Sequence, residues 1–189
     1  MKRFVSARLL VHLGRGGFID PTVTLRCPGR IHISDDCRLY HGAVLNGRTN
    51  CETGIYLGNG VKVHEYAYLD PYGGFIYLED NVLIGHHCVI AGHGGLRVGR
   101  DSMISGLTYI VPSNHVFARR GIPYRLQGES RKGITIGANV WIGSNCVVLD
   151  GVSIGDNTVV GAGSVVSRSL PPDVVALGVP ARVIRALGQ

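Results

Sequence analysis

The sequence predicts an all-β fold, a parallel β-helix whose short strands wind into triangular coils. Large aliphatic residues recur at every sixth position along two long runs, and small or β-branched residues follow most of them four positions later. A period of six fits neither the 3.6-residue helix nor the two-residue alternation of a plain strand. The two runs are Ile33, Leu39, Leu45, Cys51, Leu57, Val63 and Leu69, then Ile136, Ile142, Val148, Ile154, Val160 and Val166.

Three six-residue faces close one coil, and coils stack at about 4.8 Å, the spacing of strands in a sheet. Shorter runs extend the series to twenty-one positions, which predict seven coils and a prism roughly 34 Å tall. The 28 glycines suit the corners, where glycine relieves steric strain. The added positions are Ile19, Leu25, Leu78, Ile84, Ile90, Val98, Ile104 and Ile110.

A chain of this length predicts a single domain over residues 1–189. We expect a lead-in over residues 1–18 and the β-helix over 19–170. A Pro-Pro turn opens the last part, 171–189, which we expect to finish as a short helix from Ala181 to Leu187.

The cysteines and the hydropathy of the sequence indicate the cellular compartment in which the protein is found. Five cysteines without a CxxC pair favour neither a disulfide framework nor a zinc site. Cys37, Cys88 and Cys146 fall in the small inward column and Cys51 in the large one, so all four are predicted to be buried, while Cys27 has no assignment. No apolar run reaches the roughly 18 residues of a membrane span, and the basic N-terminus is not typical of a secretory signal. We therefore expect a cytoplasmic protein.

The net charge of +6 favours an anionic partner. The Lys and Arg residues are scattered, without a basic block or neighbouring aromatic residues, so nucleic acid is not expected. A small phosphorylated ligand or an anionic glycan would account for the charge equally well.

The six-residue period is interrupted by a long loop after Ile110, over residues 111–135. Its polar start, Ser113-Asn114-His115, is anchored by the preceding coil. Counting three faces to a coil places His93 one coil below Ser113 and Tyr72 one coil lower again, so both would line a wall leading to His115. Spacing alone leaves two readings open, because a histidine near a loop is more often a hydrogen-bonded surface residue than a catalyst.

The segment ITIGANVWIGSNCVVLDGVSIGDNTVVGAGSVVSRSLPPDVVALGVPARVIRAL resembles hexapeptide-repeat acyltransferases, which fold as left-handed parallel β-helices. Among these it is most similar to galactoside and maltose acetyltransferases and to O-acetyltransferases of surface-glycan biosynthesis. The resemblance extends over Leu78 to Leu187. It implies an enzyme, a homotrimer that binds acetyl-CoA between subunits without a metal. It also implies that His115 is the general base that takes a proton from an acceptor hydroxyl.

The resemblance also implies the residues that bind acetyl-CoA. Trp141 and Ser144 match residues beside the pantetheine arm. Gly161 and Ala162 match a face where the arm meets the backbone at close range. Ser167 and Arg168 match a Thr-Lys pair of the family's cofactor site. Arg182 and Arg185 match arginines near the nucleotide phosphates. Composition alone favours reading Arg182 and Arg185 as a solvated C-terminal surface.

The sequence indicates least about the molecule that accepts the acetyl group. We expect a sugar or a glycan intermediate, with His93, Tyr72, Asn114 and Glu129 as candidate binding residues, and Glu129 as an alternative partner that orients His115. We expect no counterpart of the helical N-terminal segment of the galactoside group, and its acceptor-contacting residues have no clear counterparts in this sequence. N-acetylation of an amino sugar, acetylation of an antibiotic, a zinc enzyme of the γ-carbonic anhydrase type and a non-catalytic scaffold remain alternatives.

Overall fold

The computed structural model describes residues 12–188, which form a three-sided prism of parallel strands. Each side is one sheet, and we name the sides face A, face B and face C in the order in which the chain visits them. Strands are numbered along the chain. Every pairing within a face is parallel except that of the last two strands. The chain therefore forms seven coils, as the period of six predicts.

The strands of face A are β1 (His12–Leu13), β4 (Ile31–Ile33), β7 (Ile55–Leu57), β10 (Ile76–Leu78), β13 (Leu96–Val98), β18 (Ile134–Ile136) and β21 (Ser153–Ile154). Those of face B are β2 (Phe18–Ile19), β5 (Arg38–Leu39), β8 (Lys62–Val63), β11 (Leu83–Ile84), β14 (Met103–Ile104), β19 (Trp141–Ile142), β22 (Val159–Val160), β24 (Val174–Gly178) and β25 (Ala181–Ala186).

The strands of face C are β3 (Thr24–Arg26), β6 (Val44–Asn46), β9 (Tyr68–Asp70), β12 (Val89–Ala91), β15 (Tyr109–Val111), β20 (Val147–Leu149) and β23 (Val165–Val166). A separate antiparallel pair, β16 (Asn114–His115) and β17 (Glu129–Ser130), lies in the long loop. Two short 3-10 turns, Pro28–Arg30 and Tyr124–Leu126, are the helical segments among residues 12–188. No helix in this part of the chain has the length and apolar character needed to cross a membrane.

The core is a stack of aliphatic side chains, one from each strand. Leu57, Leu78 and Val98 lie in register on successive strands of face A and are fully buried. The small inward column is buried as predicted and includes Cys37, Cys88 and Cys146. Burial raises the pKa of the Cys37 and Cys88 thiols to about 11, so both stay protonated at neutral pH. These cysteines are packing residues.

The prediction for Cys51 is wrong. It is exposed, in a loop between β6 and β7. That loop lengthens the coil by six residues, which is one full period. Cys51 therefore falls at a sixth position of the sequence although it lies in the loop and not on a strand. The face A position that completes the count belongs to Leu13, which pairs with Ile33 in the first coil but is exposed there. Paired structure thus begins within the segment expected to be a lead-in, of which residues 1–11 lie outside the described residues.

The helix predicted from Ala181 to Leu187 is also wrong, because this segment forms strand β25, antiparallel to β24. Two β-branched residues, Val183 and Ile184, favour an extended backbone at its centre. The strand also gives β24 a partner on its outer side, so the backbone groups of β24 are paired on both edges.

The three corners of the prism differ in length. Six residues always separate the inward residue of face A from that of face B, as in Ile33 and Leu39, and that of face B from that of face C. The corner from face C to face A carries every insertion among the described coils, at 27–30, 47–54, 71–75, 92–95 and 112–133. We call these the A–B, B–C and C–A corners. The stacked loops of the C–A corner support the candidate site.

Candidate active site

The longest insertion forms a β-hairpin that carries His115. Strand β16 pairs with β17, so that Asn114 faces Ser130 and His115 faces Glu129, and the Val116 N–H donates to the Gly128 carbonyl at 3.0 Å. Two residues on one strand therefore lie directly across from two on the other, and the imidazole stands on paired backbone.

Gln127 closes the tip of this hairpin. Its side chain is nearly buried and donates to the carbonyls of Arg119 at 2.8 Å and Ile122 at 2.7 Å. It also accepts from the Arg119 N–H at 2.9 Å. Three hydrogen bonds from one side chain give the tip a defined shape, although no regular strand reaches it.

Asp150 ties the base of the hairpin to the next coil. Its carboxylate accepts from the Ser130 hydroxyl at 2.9 Å and from the N–H groups of Lys132 and Gly133 at 2.9 and 3.0 Å. Below, Gly94 lies so close to this backbone that an added Cβ would come within 2.6 Å of Arg131. The hairpin is thus fixed by hydrogen bonds from above and by close packing from below.

His115 is solvent-accessible and lies near a carboxylate. The distance from its Nδ1 to the Glu129 Oε1 is 3.9 Å, and 61% of its side chain is exposed. Glu129 also accepts from Arg131, with Nη2 at 3.0 Å and Nε at 3.2 Å from Oε2. A carboxylate beside Nδ1 favours a proton on that nitrogen and leaves the Nε2 lone pair free, which is the form that a general base requires.

A stacked pair of rings lies below the start of the hairpin. The Tyr72 and His93 rings are 4.5 Å apart and nearly parallel, and the Gly94 N–H donates to the Pro112 carbonyl at 3.0 Å. These contacts agree with the coil count that placed both residues beneath the loop. Burial lowers the pKa of His93, and the Arg131 charge lowers it further, so the ring is neutral at pH 7. Its Nδ1 is buried without a hydrogen-bond partner among the described residues.

Sequence reasoning missed Asp70, whose carboxylate positions the stacked rings of Tyr72 and His93. Asp70 is 1% exposed, and its Oδ2 accepts from Asn46 at 2.7 Å and from the Tyr68 hydroxyl at 2.9 Å. Its Oδ1 accepts from the Tyr72 N–H at 2.8 Å and so supports the left-handed backbone of Tyr72. Burial and the hydrogen bond to Asp70 raise the pKa of Tyr68 to about 12. The only sequence signal was an Asp directly after a core leucine.

The residues predicted to bind the donor lie mostly on the other side of the prism. Trp141 is on face B, where its indole N–H donates to the Ser105 hydroxyl at 3.1 Å. Ser144, Gly161 and Ala162 lie beside it at the B–C corner, on successive coils. This corner is lined by small residues, and an added Cβ on Gly161 would come within 2.9 Å of Leu177.

Strand β25 brings the two C-terminal arginines onto the same side. Outward residues of face B lie in register from Trp141 through Val159 and Val175 to Arg185. Leu177 stands above Gly161 and pairs with Arg182. Both arginines thus lie above the Trp141 and Ala162 surface, at the end of the prism.

One chain does not bring all the predicted residues together. In a triangular cross-section the C–A corner, which carries His115, is opposite face B, which carries Trp141. Ser167 and Arg168 follow β23 and so also belong to the C–A corner. His115 of one chain could approach the Trp141 surface only of a second chain.

No group of three or more His, Cys, Asp or Glu side chains that could hold a metal ion occurs among residues 12–188.

Two protein-family models match the repeats. Residues 133–168 match the model described as bacterial transferase hexapeptide (six repeats), and residues 76–110 match the hexapeptide repeat of succinyl-transferase. The chain belongs to the hexapeptide-repeat acyltransferases. Its described coils match the left-handed β-helix of acyltransferases, so the predicted fold class is confirmed.

Two Escherichia coli K12 relatives of this hexapeptide-repeat acyltransferase are O-acetyltransferases by name. Galactoside O-acetyltransferase is 39% identical over 136 residues, which cover 67% of this chain and 64% of the relative. The putative lipopolysaccharide biosynthesis O-acetyl transferase WbbJ is 36% identical over 125 residues, which cover 62% and 64%. The chain therefore spans slightly less than two thirds of the length of either relative.

Solved structures of two acyltransferases superpose over nearly the whole chain. A galactoside acetyltransferase in complex with coenzyme A has a TM-score of 0.52 and 29% identity, and the match covers 96% of this chain and 68% of that one. AntD, an N-acyltransferase from Bacillus cereus solved with dTDP and coenzyme A, has a TM-score of 0.67 over 99% and 90%, but at 20% identity it supports the fold alone.

Proposed function

We propose that this protein is an acetyl-CoA-dependent O-acetyltransferase that acetylates a hydroxyl of a sugar or glycan intermediate, with His115 as the general base. The observation that carries the proposal is the pairing of His115 with Glu129 on a hairpin tied at its tip and base. Two relatives at 39% and 36% identity are named for O-acetyl transfer, which supports the acceptor class.

The chemistry assigned to His115 is a proton transfer in both directions. Its Nε2 takes the proton of the acceptor hydroxyl as the oxygen attacks the thioester carbonyl. The C–O bond forms, the C–S bond then breaks, and the imidazolium returns the proton to the departing thiolate. Glu129, 3.9 Å from Nδ1, stabilises the imidazolium that exists between these steps. The Tyr72 and His93 rings and Asn114 form the adjoining surface that we assign to the acceptor.

The donor is assigned to face B and the B–C corner. Trp141 and Ser144 would contact the pantetheine arm, and Gly161 and Ala162 would let it approach the backbone. Arg185 lies three strand spacings from Trp141, about 14 Å, so the two arginines suit the phosphates of an extended ligand. We assign Ser167 and Arg168 to the same phosphates from a neighbouring chain.

We further propose a homotrimer, because the site needs a second chain. Face C supports this assembly, since an unbroken column of apolar residues points outward from six of its coils. Parallel sheets are normally covered on both sides. The column consists of Val44, Tyr68, Val89, Tyr109, Val147 and Val165. All five cysteines are free, which suits the reducing cytoplasm that we propose as the location, with a role in polysaccharide biosynthesis.

The proposal is tested by His115→Ala in an assay of CoA release with free sugars, nucleotide sugars and amino sugars as acceptors. We expect a loss of about 10²- to 10⁴-fold in turnover, because the base is removed, with acetyl-CoA binding unchanged. The matched control is His64→Ala, which removes an imidazole from the B–C corner, two coils below. Near wild-type turnover in His115→Ala would refute the assignment, and product formed only from amino sugars would replace O-acetylation by N-acetylation.

A further inference from the structure

A cavity of about 320 Å³ lies on face A at the foot of the hairpin, apart from the Trp141 surface and the B–C corner. It spans the coils of β13, β18 and β21. Its walls combine two cations, an aromatic ring and two hydroxyl side chains. They include Phe75, Gly95, Arg97, Lys132, Thr135 and Ser153.

Arg97 is held in this wall by two aromatic rings. Its guanidinium carbon lies 5.0 Å from the centre of the Phe75 ring and 5.3 Å from that of the Tyr77 ring. The Phe75 ring rests on Gly95, where an added Cβ would lie 2.6 Å from the ring. Cation–π contacts position a guanidinium without neutralising its charge, so Arg97 remains available to an anion.

Lys132 supplies the second charge from the hairpin itself. Its N–H donates to Asp150, and its side chain passes over Gly151, where an added Cβ would lie 3.0 Å from the lysine Cδ. Asp150 already accepts three hydrogen bonds. Within the described part of the chain, neither Arg97 nor Lys132 forms a salt bridge. Two cations that form no salt bridge among the described residues thus line one cavity.

We propose that this cavity binds the anionic group of a charged sugar, a phosphate ester or a sugar carboxylate, between Arg97 and Lys132. Thr135 and Ser153 offer hydroxyl groups to the same ligand, and Phe75 gives it an apolar wall. The volume is at the lower end of the range for small-molecule sites and suits one sugar unit with its anion. The inference deepens the proposed function, on which it rests, by making the acceptor anionic.

The position of Lys132 links the cavity to the base. Three residues of extended backbone separate it from Glu129, about 10 Å, and Glu129 faces His115. An acceptor anchored by its anion in this cavity is therefore held at the hairpin that carries the imidazole. The net charge of the chain, +6, acts in the same direction by attracting anions.

The test is calorimetric titration of the full chain, without acetyl-CoA, against glucose 1-phosphate, glucuronate and neutral glucose. We expect one or both anionic sugars to bind more tightly than glucose, and the binding to weaken with salt. Arg97→Gln and Lys132→Gln should each weaken it at least about tenfold, because each removes a charge-assisted contact. The matched control, Arg100→Gln, removes an exposed arginine on the same coil that faces Asp101 and should leave binding unchanged.

Equal binding of glucose and the anionic sugars, no binding of any of them, or unchanged binding in both cavity variants would overturn the proposal. The thermal midpoint of each variant shows whether it is folded. Acetyl-CoA binding, measured on the same samples, should not change. These titrations measure binding without turnover, so they test the cavity proposal alone. The acetyltransferase proposal is tested separately by the turnover of His115→Ala.

Discussion

The B–C corner and the C–A corner are built from the same coils, yet they differ in every property that matters for function. Six residues always connect the core residues across the B–C corner, from Ile19 and Leu25 to Val160 and Val166. Across the C–A corner the connection ranges from six residues, Val148 to Ile154, to twenty-six, Ile110 to Ile136. The invariant corner presents a straight edge, and the variable corner presents stacked loops.

This difference shows how the solenoid admits specific side chains without losing its core. A longer loop costs little, because closure entropy rises only slowly with length. Insertions confined to one corner leave the register between faces A, B and C unchanged, so the aliphatic stack is not disturbed. The straight edge suits the extended donor that we propose, and the loops would supply the polar wall of the proposed acceptor site.

The largest effect should come from adding one glycine at the invariant corner, between Ser144 and Asn145. A one-residue shift turns Val148 away from the core, and each large aliphatic side chain lost from burial costs about 1.5–3 kcal/mol. We expect the free energy of unfolding, measured in urea, to fall by at least about 3 kcal/mol. A glycine between Arg120 and Gly121, at the hairpin tip, is the matched insertion and should change it by less than about 1 kcal/mol. Equal losses would remove the distinction between the corners.

A smaller effect is expected from Ala162→Trp, which fills the edge assigned to the donor without touching the core. We expect acetyl-CoA binding, measured by calorimetry, to weaken at least about tenfold, ~1.4 kcal/mol. If the site joins the C–A corner of one chain to the B–C corner of another, mixing this variant with His115→Ala after co-refolding should restore part of the turnover. No recovery in mixed oligomers would place both residues within one chain's site.

The smallest effect concerns pH and the C–A corner. Because burial lowers the pKa of His93 below its ordinary value of 6.5, the unfolded chain binds more protons than the folded one as the pH falls from 7 to 5. Acid therefore shifts the balance toward the unfolded state, against the opposing charges of Glu129, Asp70 and Asp150. His93→Asn should lose less stability than the wild type over this interval in urea titrations. A steeper loss in the variant would contradict the assigned shift.

The periodic part of the fold could be predicted because the six-residue spacing of large aliphatic residues directly gives the buried position on each strand. Leu78, Ile84 and Ile90 lie in the core where the count places them. The count failed at Cys51, since a loop of one full period leaves the spacing unchanged. It also failed at β25, because a short run of Arg and aliphatic residues fits a strand as well as a helix, and only pairing with β24 decides.

The candidate site was predictable only where the family resemblance or the coil count reached it. His115 and the Tyr72–His93 stack could be placed in this way. The buried carboxylate of Asp70 depends on Asn46, which is 24 residues earlier. The charged cavity depends on Arg97 and Lys132, which the hairpin brings together. Contacts of this kind follow from the path of a loop, and no local pattern encodes them.

Strand β25 has one more consequence. A stack of parallel coils ends in a row of unpaired backbone groups, and such an edge is a template on which another molecule can continue the stack. Because β25 runs antiparallel to β24, a second chain that docked on it could not continue the parallel stacking of the coils. Arg182 and Arg185 on this strand would also repel the same charges of another copy. We therefore expect the strand that we assign to nucleotide phosphates also to disfavour end-to-end stacking of chains through face B.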